Sequence, residues 1–126
     1  MPVPDEGQTD TFTRTFRRED VERFADLSND TGGHHEEPDD DGRLVVHGLL
    51  TATLPSKIGG DYDVLADRMD FAFPRPVYTG EEVTCELTFH TVTERERSYR
   101  IAASGTCRNE DGEVVMEADV GGVVLK

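Results

Sequence analysis

The chain has no tryptophan, two cysteines, and only two lysines among its 13 cations, Lys57 and Lys126. It has no run of about 18 apolar residues, so no segment reads as a membrane span. The first ten residues, MPVPDEGQTD, lack the basic and then apolar pattern of a signal region. Together these absences give a cytoplasmic expectation. Cys85 and Cys107 form no CxxC pair, so the expectation is two reduced, buried thiols. What dominates instead is acid. Asp plus Glu number 27 against 13 Lys plus Arg in 126 residues, a formal net charge of −14. Such a surface repels the phosphates of nucleic acid. High acid content with scarce lysine suggests a protein from a salt-accumulating halophile, where screening shortens the Debye length to about 3 Å near 1 M salt.

The length suits one domain. Residues 1–10 are polar with two prolines and read as a flexible N-terminus, leaving 11–126 as the folded domain. Residues 11–16, TFTRTF, alternate as a short strand with Phe12 and Phe16 on one side. In residues 19–28, Val21, Phe24, Ala25 and Leu27 fall close to one helical face, with Glu19 and Asp20 in the first turn. Residues 29–42, NDTGGHHEEPDDDG, read as a loop, and one this long in so compact a chain is more often functional than idle.

Residues 44–58, LVVHGLLTATLPSKI, suit a buried helix that Pro55 ends or kinks and Gly59-Gly60 stops. Residues 68–73 read as a strand. Residues 82–93 alternate, with Val83, Cys85, Leu87 and Phe89 on one face, and residues 97–108 alternate again. Residues 109–112, NEDG, signal a hairpin into a last strand, 113–126, where Gly121-Gly122 suggests a bulge. One buried helix followed by antiparallel strands implies an α+β fold with a curved sheet wrapped around the helix, and an open edge that invites dimerisation.

Two constellations carry chemistry. Asp30 and His35 sit five residues apart across a Gly32-Gly33 turn. A carboxylate and an imidazole can share one water and exchange protons near neutral pH; the plain alternative is a solvated acidic loop. His34, His35, Glu36, Glu37 and Asp39 to Asp41 offer metal-ligating atoms but no HExxH or CxxC spacing, so no metal is expected. Val46-His47-Gly48-Leu49-Leu50 opens the buried helix. Unpaired amides there, with Gly48 allowing close approach, could form an oxyanion hole; the alternative is that Gly48 only relieves packing.

Taken together, the segments resemble the MaoC-like hydratases, the (R)-specific enoyl-CoA hydratases of the hot-dog fold, from Phe16 to Leu125. The residues that carry the resemblance are the entry helix of residues 19–30, Asp30 and His35 at the spacing of a D-x-N-P-x-H motif, Val46-His47-Gly48-Leu49-Leu50 as a V-H-G-x-L helix start, and Phe73 to Glu81 as an F-x-x-P-V-x-x-G-[DE] turn. Gly32 and Gly33 stand where the family has Asn and Pro, the stretch between His35 and His47 is short, and Thr53 replaces a serine.

The resemblance implies a homodimer or higher homo-oligomer without cofactor, acting on an acyl-CoA thioester in fatty-acid breakdown or polyhydroxyalkanoate supply. It implies hydration of a trans-2-enoyl-CoA, or the reverse dehydration, by a water held between Asp30 and His35, with Gly48, Thr53 and His47 at the oxyanion and substrate side. Arg75 and Lys57 are candidates for the CoA phosphates by charge alone. A hot-dog thioesterase and a non-catalytic acyl-thioester-binding subunit are the alternatives; the lack of any carboxylate in residues 44–58 counts against the thioesterase.

Overall fold

A computed structural model describes residues 3–126. The sheet has five antiparallel strands in the order β1-β3-β4-β5-β2: β1 Thr9–Thr15, β2 Leu65–Ala72, β3 Glu82–Glu94, β4 Ser98–Arg108 and β5 Val114–Leu125. Its helices are α1 Arg18–Ser28, α2 Gly33–Glu36, α3 Gly48–Thr51 and α4 Thr53–Gly60. The expected α+β hot-dog architecture is what the chain adopts. The period-2 pattern of β3 does what it implies. Val83, Cys85, Leu87 and Phe89 are all buried on one face, where Leu54 and Ile58 of α4 join them in the core. Fully burying a leucine such as Leu54 stabilises by about 1.5–3 kcal/mol. Cys85 and Cys107 face each other across β3 and β4, buried and unbridged.

Several local readings are corrected by tertiary partners. The N-terminus does not fray from residue 3 onward. Gly7 N–H donates to Phe89 O at 2.7 Å, Val92 N–H donates to Glu6 Oε1 at 3.1 Å, and β1 already begins at Thr9. Met1 and Pro2 lie outside the described residues. On α1, Val21 and Ala25 are buried but Leu27 is 82% exposed. The loop at 29–42 contains the single turn α2, closed by His35 N–H to Gly32 O and Glu37 N–H to Gly33 O.

The central helix starts later and ends later than its apolar run. Residues 44–47 stay extended because Val46 N–H donates to Val77 O at 2.8 Å and Val45 bridges Tyr78. The helix breaks at Ala52, and α4 then accommodates Pro55 in its first turn, where a missing N–H is tolerated. The irregularity near Gly121-Gly122 lies in the facing strand: the register shifts between Ala66 and Arg68 of β2. A Cβ on Gly122 would stand 2.4 Å from Leu65 O, so glycine is what lets β2 close against β5 there.

Candidate active site

Three elements converge. The C-terminal end of α1 delivers Asp30 just past Asn29, whose φ of 60° ends the helix in a left-handed cap. Turn α2 delivers His34 and His35. The start of α3 delivers His47 and Gly48. The Asp30 carboxylate is half exposed, and its Oδ2 lies 3.8 Å from Nε2 of His35, a residue only 6% exposed.

His35 is tightly held. Its Nδ1 lies 2.7 Å from Val45 O. Since a carbonyl oxygen only accepts, Nδ1 carries the hydrogen and Nε2, the nitrogen facing Asp30, is the one that takes or gives a proton. Val45 is itself fixed, because its N–H donates to His34 O at 3.0 Å and it bridges Tyr78. Under His35 lies His47, its ring centroid 3.6 Å away and its plane tilted by only 15°. His47 Nε2 sits 2.9 Å from Asp30 O.

Gly48 occupies the first position of α3, where helix amides have no partner within the helix. The Phe73 ring covers it, so that an added Cβ would meet three ring atoms at 3.1 to 3.3 Å. A cavity of about 350 Å³ runs from His34 and His35 past Gly48 and Thr51 to Phe73, Arg75 and Val77. Behind it along the central helix, a second cavity of about 280 Å³ is lined mainly by apolar groups, among them Val64, Phe71, Leu87, Phe89 and Val120. Phe71 lines the inner space and Phe73, two residues on, lines the outer one.

The structure therefore brings together Asp30, His35, His47, Gly48 and Arg75. It does not bring in Thr53 or Lys57. The Thr53 hydroxyl donates to Leu50 O at 2.6 Å, closing the break between α3 and α4. Lys57 pairs with Asp61 at 2.7 Å and lies over Phe12. Arg75 lines the outer cavity while paired with Glu113 at 3.1 Å. His34 is exposed beside His35, and His90 contacts Ser104 on the exposed sheet face. Two contributors escaped the sequence reading. The Val45 carbonyl is backbone and carries no sequence signal; Phe73 was noted only as part of a turn.

Asp30, His35 and His47 each offer a ligand atom within 4.8 Å of the others. Nearly parallel rings 3.6 Å apart hold their in-plane lone pairs in two separate, nearly parallel planes, which does not favour convergence on one ion. That arrangement suits a stacked pair rather than a chelate.

No family model matches the chain. Its sequence is 27% identical over 111 residues to a mitochondrial 3-hydroxyacyl-acyl-carrier-protein dehydratase of Arabidopsis thaliana, covering 82% of this chain and 67% of that protein. A UPF0336 protein of Mycobacterium tuberculosis is 38% identical over 48 residues, which span 38% of this chain and only 29% of that relative. Among solved structures, an (R)-hydratase from A. caviae involved in PHA biosynthesis superposes with a TM-score of 0.78 at 24% identity, over 96% of this chain and 98% of that one. A MaoC-like dehydratase from Rhodospirillum rubrum gives 0.77 at 18% identity, over 98% and 94%. The chain thus has the hot-dog fold that these hydratase and dehydratase structures share, and its sequence is similar to that of a dehydratase over most of its length.

Proposed function

We propose that this chain hydrates a trans-2-enoyl thioester to the (R)-3-hydroxyacyl thioester, or runs the reverse dehydration. The observation that carries the reading is the pairing of an accessible Asp30 carboxylate with Nε2, the exchangeable nitrogen of a buried, backbone-anchored His35, 3.8 Å apart. A water between them is within reach of both. Asp30 takes its proton as the oxygen bonds to C3 of the enoyl group. The C2=C3 electron pair moves toward the thioester carbonyl, and His35, protonated at Nε2, delivers a proton to C2. Proton return from Asp30 to His35 resets the pair. The unpaired amide at Gly48 is the donor proposed for the carbonyl oxygen as charge builds there.

The apolar cavity behind Phe71 supports an acyl chain as the substrate's tail. Arg75 is the cation we assign to the CoA phosphates, since it lines the cavity beside His35, which Lys57, paired with Asp61, does not. Leu49, Leu65, Met69 and Phe73 are large apolar side chains left exposed on the helix start and on or just beyond edge strand β2, which supports a second copy of the chain packing there. The test is loss of enoyl absorbance from crotonyl-CoA in molar KCl, with Asp30→Asn as control. Turnover in the wild type that survives Asp30→Asn removes the proposed chemistry; release of free thiol in place of hydration transfers the chain to the thioesterases.

A further inference from the structure

One buried group has no task in the scheme above. His47 is 2% exposed, and its Nε2 faces Asp30 O at 2.9 Å, so Nε2 carries the hydrogen and Nδ1 is bare. Among the described residues, that Nδ1 is a buried side-chain polar atom without a partner. One contact of the ring is the nearly parallel stack on His35 at 3.6 Å, and another is Phe24, at 4.8 Å and 56°. If packing were the only demand, phenylalanine would fill the same room and strand no nitrogen. The imidazole is therefore explained by the hydrogen bond it donates.

The segment it grips has little stiffness of its own. Between Asp30 and His35 lie Gly32 and Gly33, which leave the backbone free of side-chain restraint. Within the loop, Asp30 is tied only by Gly32 N–H to its Oδ1 at 3.3 Å and by its own N–H to Ser28 Oγ at 3.1 Å. We infer that His47 is a positioning residue: its Nε2–H anchors the Asp30 backbone while its ring bears His35, and the two contacts together set the separation of the carboxylate and the imidazole. The role rests on the hydratase reading, and it makes the start of the central helix, rather than the loop, the reference for the site.

The test uses the whole chain and two complementary variants. His47→Phe keeps a flat ring and loses the donor; His47→Gln keeps a donor and loses the ring. Each should lower kcat for crotonyl-CoA about tenfold or more while KM moves little, because misplacement of reacting groups acts on the chemical step. On the Asp30→Asn background, His47→Phe should add much less, since both changes act through one group. A second readout is independent of turnover: the His35 ring titration followed by NMR, in a setting of Asp30, His34, Glu36, Arg75, and Glu22 and Asp26 of α1. Its midpoint should move in both folded variants. Unchanged kcat in both, or loss that only tracks the folded fraction, overturns the role; if one variant does not fold, the other decides. If the wild type does not hydrate crotonyl-CoA, the hydratase reading fails alone. A displaced His35 midpoint then still supports positioning, and an unmoved one overturns it.

Discussion

His35 Nδ1 lies 2.7 Å from the carbonyl oxygen of Val45, and this one contact decides which nitrogen of the ring can work. It also ties the proposed proton carrier to an extended strip that bridges Tyr78. Asp30→Ala and His35→Ala should each lower hydration about 10²- to 10⁴-fold. They should differ in stability. Asp30 is half exposed and its loss should leave Tm nearly unchanged, whereas His35→Ala leaves the Val45 carbonyl without its partner, a loss of about 1–3 kcal/mol. Paired kinetic and thermal measurements check both; wild-type rates in either variant would remove that residue from the site.

Gly48→Ala places a methyl group 3.1 to 3.3 Å from three atoms of the Phe73 ring. The ring is 45% exposed, so it can yield by a few tenths of an ångström. The expected outcome is a modest stability change with a clear drop in kcat/KM. Phe73→Ala, made with Gly48→Ala, should restore part of any lost stability. If the double variant is less stable than Gly48→Ala alone by the full effect of Phe73→Ala, the ring is not what constrains Gly48.

Gly122 and Gly60 make a matched pair. A Cβ on Gly122 meets backbone, Leu65 O at 2.4 Å and Ala66 Cα at 2.9 Å, which cannot rotate away. Gly122→Ala should destabilise by about 1–3 kcal/mol through forced strand separation. Gly60, in the last turn of α4, has nothing within 4 Å of its would-be Cβ, and Gly60→Ala should stabilise by about 0.4–1 kcal/mol. Urea midpoints of the two variants, shifting in opposite directions, are the check.

The Arg100 guanidinium against Asp67 holds that carboxyl below its usual range. Because its folded pKa is the lower one, this group stabilises fully above the unfolded value of about 3.9 and loses its contribution as pH falls through the folded value. Asp67→Asn should therefore narrow the fall in Tm between pH 7 and about pH 2.5. An unchanged fall removes the pair from the acid response.

We propose that salt stabilises this protein, on the strength of 27 acids against 13 cations. Exposed pairs such as Arg23 with Glu19 and Arg18 with Glu22 weaken when screened, but each is worth little, and the uncompensated repulsion is larger. Tm in about 2 M KCl should exceed Tm in 0.1 M KCl. An equal or lower value would end the idea.

Much of this was legible in residue order. The alternation of β3 names its buried face. Spacing alone leaves Asp30 and His35 open to being a solvated loop and Gly48 to being a packing glycine; the resemblance singles them out, and the fold places Asp30 beside His35 and His35 in one cavity with Gly48. What escaped depended on partners distant in sequence. Leu27 fits the apolar stripe of α1 yet is exposed, while Val21 and Ala25 of the same helix are buried and Phe24 packs on His47. Thr53 looked available, but a helix break at Ala52 turned its hydroxyl to Leu50 O. Residues 6–8 look loose by composition and are pinned by Phe89 and Val92 of β3. Lys57 was assigned by the scarcity of cations, and scarcity says nothing about location.

The facing thiols of Cys85 and Cys107 give the molecule a built-in clock. They sit on two adjacent interior strands of the sheet, with no solvent contact. A thiol reagent reaches either sulfur only when β3 and β4 come apart or the whole domain opens, so the rate of labelling reads the opening equilibrium of the sheet directly. Variants of this chain can thus be ranked for stability in native buffer, at any salt concentration, without denaturant and without knowledge of the substrate.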